Sequence, residues 1–330
     1  MRALITGVSG QDGSYLAEKL LERGDEVHGT VRRASTPNLV RLAHLPTEAG
    51  GRGTGVLHLH YADMTDASSI ERVVMLTGPD LVFNLAAMSD VRVSFDVPLY
   101  AAQADAMGPL ALLEACRKHV PEARIYQAGS SEMFGMNADV PTNEDSLFYP
   151  GSPYAAAKVM AFHAAVNYRD AFGMHVSNGV LFNHESERRG IEFVTRKVAI
   201  AAAEIATGTQ RVLTLGSLEA KRDWGYAPEF VDAMIAMTEL DHGADFVIAT
   251  GEAHSVEELV ERAFDYVGLN WRDHVVIDEK LRRPTDPPIL LGDATKASVL
   301  LGWEPTTFFE DLVDLMVEAE LQRIEGGVRT

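Results

Sequence analysis

The sequence predicts an α/β protein in which a doubly wound parallel sheet is joined to a smaller, interleaved C-terminal domain. Three observations carry this expectation. Short apolar runs alternate with amphipathic helical stretches through the first half, a glycine-rich turn directly follows the first run, and the alternation loses its regularity beyond Leu181. Alternation of this kind implies parallel strands joined by crossover helices.

Taken in order, Ala3–Thr6 reads as the first strand, with a helix from about Ser14. Glu26–Val31 and Leu57–Tyr61 are the next strands, followed by a helix near Ala67–Leu76, the strand Leu81–Leu85 and a long helix ending near His119. Arg124–Ala128 and His175–Leu181 add two more, separated by a helix beginning near Ser152, so the sheet has at least six strands. Beyond it, Asn183–Gly190 reads as a polar loop, 191–207 as a helix and Phe246–Ala249 as a strand returning to the sheet. Arg282–Pro288, with its three prolines, reads as an ordered loop. Residues 1–182, with a returning segment near 224–250, are thus expected to form the first domain, and 183–330 mainly the second. No tandem repeat or flexible linker interrupts them.

With 330 residues, 46% of them hydrophobic, the chain can bury a sizeable core. Its 48 acidic and 29 basic residues leave a formal charge of -19, which argues against nucleic acid or an anionic membrane as partner. An anionic ligand therefore needs a local basic site. Cys116 is the only cysteine, which excludes an internal disulfide and any multi-cysteine metal site. Among the eleven histidines, His58 and His60 sit at strand spacing and no His/carboxylate cluster has a ligand pattern, so no metal is expected. Met234 and Met237 read as helix core. The alanine-rich segment 198–206 is short and contains Glu204, no apolar run approaches the ~20 residues a membrane helix needs, and no leader pattern precedes the first strand; the expectation is a cytoplasmic protein.

The turn Gly7-Val8-Ser9-Gly10-Gln11-Asp12-Gly13 stands between a strand and a helix, where absent side chains let a pyrophosphate approach the backbone and the helix N-terminus. That context favours a Rossmann-type dinucleotide site over a purely structural turn. At the end of the second strand, where NAD specificity usually places an acidic residue, the chain reads Val31-Arg32-Arg33-Ala34-Ser35. Two arginines and a serine suit a 2′-phosphate, hence NADP; the arginines equally suit a solvated pair or a subunit contact. Tyr154 and Lys158 stand four apart and share one helical face, an arrangement in which an ammonium favours a phenolate. Just after a strand, Ser130 offers a hydroxyl to a sugar oxygen and Glu132 a carboxylate for general acid/base work, against the ordinary reading of a surface glutamate.

These residues, with Gly7–Glu18 (GVSGQDGSYLAE), Val27–Arg33 (VHGTVRR), Phe182–Gly190 (FNHESERRG), Phe193–Lys197 (FVTRK), Lys221–Gly225 (KRDWG), Ala249–Ser255 (ATGEAHS) and Leu291–Asp293, resemble the extended short-chain dehydrogenases/reductases. Within that group the chain is most similar, over nearly all its length, to the GDP-mannose 4,6-dehydratases. The resemblance implies that Gly7, Gly10, Gln11, Asp12, Gly13, Arg32, Arg33, Ser35, Asp63, Met64, Leu85, Ala86, Ala87, Ser89, Tyr100, Lys158, His184 and Arg189 surround NADP. It implies that Ser130, Glu132, Tyr154 and Lys158 are catalytic, and that Asn183, Lys197, Arg222 and Arg283 hold a GDP-sugar, although each of these four also suits an ordinary salt bridge. It further implies a homo-oligomer, tetramer or dimer, with the arginine loop reaching a neighbouring subunit.

The chain departs from the family pattern at Ser130, usually threonine, at Met88, usually glutamine, and at Asp90, usually histidine. Serine keeps the hydroxyl; Met88 and Asp90 change the polarity beside the sugar or nicotinamide. The implied reaction is oxidation at C4, loss of water across C5/C6 and hydride return to C6, with no net change in the cofactor. The rivals are a dehydratase for another nucleotide hexose or heptose, a GDP-ketosugar reductase or epimerase on the same fold, and a silent NADP-binding assembly protein. Glu132 argues against the epimerase, and net NADPH consumption would mark the reductase.

Overall fold

The structure, a computed structural model, describes residues 1–35, 38–136 and 140–327. Seven strands of the main sheet come from residues 2–181: β1 (Arg2–Thr6), β2 (Glu26–Val31), β3 (Thr47–Ala49), β4 (Leu57–Tyr61), β5 (Leu81–Asn84), β6 (Arg124–Ala128) and β7 (Val176–Leu181). Asp245–Ile248 returns to complete an eight-stranded sheet, pairing with β7, and the order runs onward through β6, β5, β1, β2, β4 and β3. Each of these pairs is parallel. Strands covered on both faces are buried at every residue, as β5 and β7 are; the buried Asn178 of β7 donates its amide to Asp245.

Alternate side chains build two cores. Ile5, Phe83 and Tyr126 face helix α1 (Gln11–Glu22) and the Ala227–Glu239 helix, which contributes Phe230, Met234 and Met237. Leu4, Val82, Ile125 and Val176 face the opposite layer, where Val74, Leu112, Cys116 and Ala165 pack. The chain reverses through capped helices: Asp66 accepts from Ser68 N and Ser69 N at the start of Ala67–Thr77, and Gly78 closes it at φ 53°. A third core, around Val198, Trp224, Leu259, Phe264, Phe309 and Val313, holds the Val194–Ala206, Val256–Tyr266 and Phe309–Glu325 helices together as a smaller C-terminal unit. No helix among the described residues is long and apolar enough to cross a membrane.

Two expectations are corrected. The long helix ending at His119 runs without a break from Pro98, with a π-turn over Gln103–Met107 between its two α-helical stretches, and the short helix Val91–Asp96 precedes it. Pro98 stands at its first turn, where a missing N–H costs no helical bond. Asn183–Gly190 is not all loop: Asn183–Glu185 pairs in parallel with Trp224–Tyr226. Its polar residues carry no alternation; Gly225 stands opposite His184, and a Cβ on it would stand 2.3 Å from the Phe230 ring. The edge strand β3 went unread because all three of its residues are exposed, leaving only backbone pairing to define it. Helix α1 begins at Gln11 rather than Ser14, inside the glycine turn.

His28, His58 and His60 lie side by side across β2 and β4, with His28 Nδ1 3.0 Å from His60 Nε2 and His28 Nε2 3.0 Å from Glu26 Oε1. Burial, reinforced by His28, holds His60 down to about 4, against 6.5 in an unfolded chain. The unfolded state therefore binds more protons between those values, and stability falls as pH drops from about 6.5 toward 4. We expect the Tm of the wild type to fall more between pH 7 and pH 5 than that of His60→Gln, by a difference worth on the order of 2 kcal/mol. Parallel curves for the two proteins by calorimetry would refute this.

Candidate active site

A cavity of about 1070 Å³ opens at the carboxyl ends of β1, β2, β4, β5, β6 and β7, where ligands of open parallel sheets bind. Gly7 turns out of β1 at φ 70°, and a Cβ on it would stand 2.9 Å from the Ala86 backbone. A Cβ on Gly13 would stand 2.5 Å from the Gly7 carbonyl oxygen, so the turn closes only with glycine at both positions. Gly10 is the N-cap of α1 and has no side chain to satisfy the first-turn donors, which face the cavity as an anion site. This cradle fits a pyrophosphate-bearing dinucleotide.

The side chains of Gln11 and Asp12 are otherwise engaged. Gln11 Nε2 donates to His184 O at 3.0 Å and Gln11 Oε1 accepts from Ser186 Oγ at 2.9 Å. Asp12 Oδ2 lies 2.9 Å from His184 Nε2. Burial opposes the imidazolium, but Asp12 outweighs it and raises the His184 pKa; the same pairing, against burial, lowers that of Asp12. To a dinucleotide these two residues therefore present chiefly backbone. Around them the cavity wall includes Arg32, Arg33, Asp63, Met64, Leu85, Ala86, Ala87, Ser89 and Tyr100, whereas Ser35 is exposed and lies outside it. Arg32 Nη1 donates to Tyr100 Oη at 2.6 Å, and the Arg33 guanidinium stands 5.7 Å from the Tyr61 ring centroid. Arg189 pairs with Glu185 at 3.0 Å and covers the Phe193 ring.

The four catalytic candidates converge. Ser152 caps the Pro153–Phe172 helix, whose first turns carry Tyr154, 7% exposed, and Lys158, 4% exposed. Lys158 Nζ donates to Ala128 O at 2.9 Å and lies 5.8 Å from the Tyr154 ring centroid. Burial, then the nearby Asp105 carboxylate, raises the Tyr154 phenol, while a hydrogen bond with Ser130 opposes them. Burial also lowers Lys158. Ser130 follows β6 and accepts from Glu132 N at 3.3 Å, and Glu132 Oε1 accepts from Arg283 Nη1 at 3.3 Å. Arg222, 6% exposed, reaches Asp286 at 2.6 Å; Lys197 Nζ donates to Thr214 O at 2.6 Å; Asn183 lines the same wall. Met88 lines it too, its N–H donating to Asp105 Oδ1 at 2.7 Å, and Asp90 caps the Val91–Asp96 helix through Val93 N.

Two features were missed in the sequence. Thr6 Oγ1 donates to Asn84 Oδ1, Asn84 Nδ2 to Gln127 Oε1 and Gln127 Nε2 to Ala128 O, at 2.7, 2.7 and 3.0 Å. This buried polar ladder crosses three strands and ends on the carbonyl that holds Lys158. Asp105, 1% exposed in the π-turn, is pushed up to about 6 by burial, with Lys158 opposing. Polar residues at or next to the last positions of strands β1, β5 and β6 were the available signal for the ladder; Asp105, set among alanines, offered none. Among the described residues no group of three or more His, Cys, Asp or Glu is placed to hold a metal.

Residues 4–316 match the family model described as GDP-mannose 4,6 dehydratase. The chain is 49% identical over 324 residues to GDP-mannose 4,6 dehydratase 1 of Arabidopsis thaliana, covering 97% of this chain and 90% of that protein. It is 44% identical to the human GDP-mannose 4,6 dehydratase, covering 97% and 91%. Among solved structures it resembles the UDP-glucose 4-epimerase of Thermotoga maritima with UDP-glucose (TM-score 0.84, 26% identity, 98% and 100% covered). It also shares the fold of the dTDP-glucose 4,6-dehydratase DesIV of Streptomyces venezuelae (TM-score 0.85, 23% identity, 100% and 99% covered).

Proposed function

This chain belongs to the GDP-mannose 4,6-dehydratase family, and on that premise we propose how its own residues carry out the nicotinamide-dependent 4,6-dehydration of GDP-mannose, with NADP as the dinucleotide. The observation that carries the proposal is the presence of Glu132 in the cavity wall that also holds Tyr154, two residues after Ser130 on the loop leaving β6. A nicotinamide dinucleotide supplies the means to oxidise C4 and later to reduce C6, so the cycle is redox-neutral. Tyr154 takes the C4 hydroxyl proton, Ser130 holds that oxygen, and Lys158 supplies positive charge that favours the phenolate. Once C4 is a ketone the C5 hydrogen is acidic; Glu132 removes it and protonates the departing C6 hydroxyl, which leaves as water, and C5 regains a proton from solvent as C6 is reduced.

Residues 1–182 and the returning segment near 224–250 hold the dinucleotide in this reading, and 183–330 mainly the GDP-sugar. Arg222 and Arg283, with Lys197 and Asn183, take the diphosphate and nucleoside, and Arg32 and Arg33 take the 2′-phosphate. The active form is a homo-oligomer, tetramer or dimer, in the cytoplasm. GDP-mannose incubated with the purified protein and NADP⁺ is expected to give a product lighter by one water by mass spectrometry, without net cofactor reduction. With NAD⁺ the same rate requires a concentration at least about tenfold higher. Equal use of NAD⁺ would overturn the 2′-phosphate assignment, and loss of water only from another nucleotide sugar would overturn the GDP-mannose assignment.

A further inference from the structure

The cavity contains a chain of four side chains of alternating charge. Glu132 Oε1 accepts from Arg283 Nη1 at 3.3 Å, the same Nη1 reaches Asp286 Oδ1 at 3.5 Å, and Asp286 Oδ1 accepts from Arg222 Nη2 at 2.6 Å. The two arginines differ in freedom. Arg222 is 6% exposed and its Nη1 is tied to the carbonyl oxygens of Lys221 and Pro287 at 2.8 and 2.9 Å, which fixes the guanidinium. The Arg283 side chain is 33% exposed, near the start of the 282–288 loop, and can turn between partners.

Two cations here are matched by two internal carboxylates, one of which is the base of the reaction. A diphosphate offers more oxygens and more charge to the same guanidinium forks than either carboxylate does. We infer that the diphosphate of the substrate exchanges with Asp286 and Glu132 on Arg222 and Arg283, so that Glu132 is unmasked as the nucleotide end docks. This rests on the assignment of the two arginines to the diphosphate under Proposed function. While Arg283 donates to Glu132, that oxygen lone pair is not open to a carbon-bound proton. Release of Arg283 opens it, and binding energy from the non-reacting end of the substrate prepares the reacting end. Asp286 acts as an internal anion that keeps the arginines placed and neutralised between turnovers, a positioning role exercised through them.

The exchange makes a prediction that a structural role does not. Removing either competing carboxylate tightens binding of the anion. GDP affinity would be measured by titration calorimetry on the full chain saturated with NADP⁺, for the wild type, Asp286→Asn and Glu132→Gln. Each variant is expected to bind GDP about three- to tenfold more tightly than the wild type. Asp286→Asn is also expected to lower KM for GDP-mannose by a similar factor. If Asp286 merely braces the loop, its asparagine variant binds GDP more weakly, and Glu132→Gln leaves the affinity unchanged.

Should the loop collapse without Asp286, Glu132→Gln, which lies outside it, decides alone: GDP affinity equal to or below wild type in that variant overturns the exchange. A wild type that does not bind GDP at all overturns the arginine assignment itself, and the exchange with it.

Discussion

A Glu132→Gln variant binds NADP as the wild type does and forms the dehydrated product from GDP-mannose about 10³-fold more slowly. The amide keeps the size of the side chain and a hydrogen-bond acceptor for Arg283, now 3.3 Å from Glu132 Oε1, but it cannot take a proton from C5 or pass one to the leaving hydroxyl. Glu132 lies on the loop after β6, away from the glycine turn that cradles the dinucleotide, so fluorescence titration of NADPH should return the wild-type affinity. In deuterated water, the wild type places deuterium at C5 of the product and the variant leaves C5 of recovered substrate unexchanged. Turnover within tenfold of wild type would remove Glu132 from the proton-transfer role.

Tyr154→Phe stops the reaction earlier and with a similar loss, about 10³-fold or more in kcat. Burial holds the phenol above its ordinary pKa, and the Asp105 carboxylate adds to that, against the hydrogen bond with Ser130. The phenolate fraction therefore grows as pH rises through the neutral range, and wild-type kcat/KM should climb with it. The residual rate of Tyr154→Phe should be flat over the same range, because the titrating group is gone. The ring keeps its packing in a site only 7% exposed, so the fold survives and the Tm moves by a few degrees at most. A residual rate that still climbs with pH would assign the profile to another group.

Much of this was legible in the sequence because it is local. The glycine turn falls between a strand and a helix, and the separation of Tyr154 from Lys158 places both on one face of the Pro153–Phe172 helix. Ser130 and Glu132 follow a strand whose limits, Arg124–Ala128, match the apolar run. What escaped reading depends on partners far away in the chain. Arg283 meets Glu132 across 151 residues, and nothing near either residue announces the other. Asn183–Glu185 becomes a strand only because Trp224–Tyr226 lies beside it. Asp105 is buried in a π-turn, while its alanine neighbours suggest an ordinary α-helical register. Ser35 follows the arginine pair closely but does not line the cavity that Arg32 and Arg33 line.

The engagement of Gln11 and Asp12 with the His184–Ser186 segment also bears on how the protein comes into being. The partners of these two side chains lie 172 to 175 residues downstream, and Tyr15 joins them by donating to Glu187 Oε1 at 2.6 Å. During synthesis the glycine turn leaves the ribosome early and then waits for the segment that locks it. The side-chain contacts that complete the cradle can therefore form only once more than half of the chain has been made.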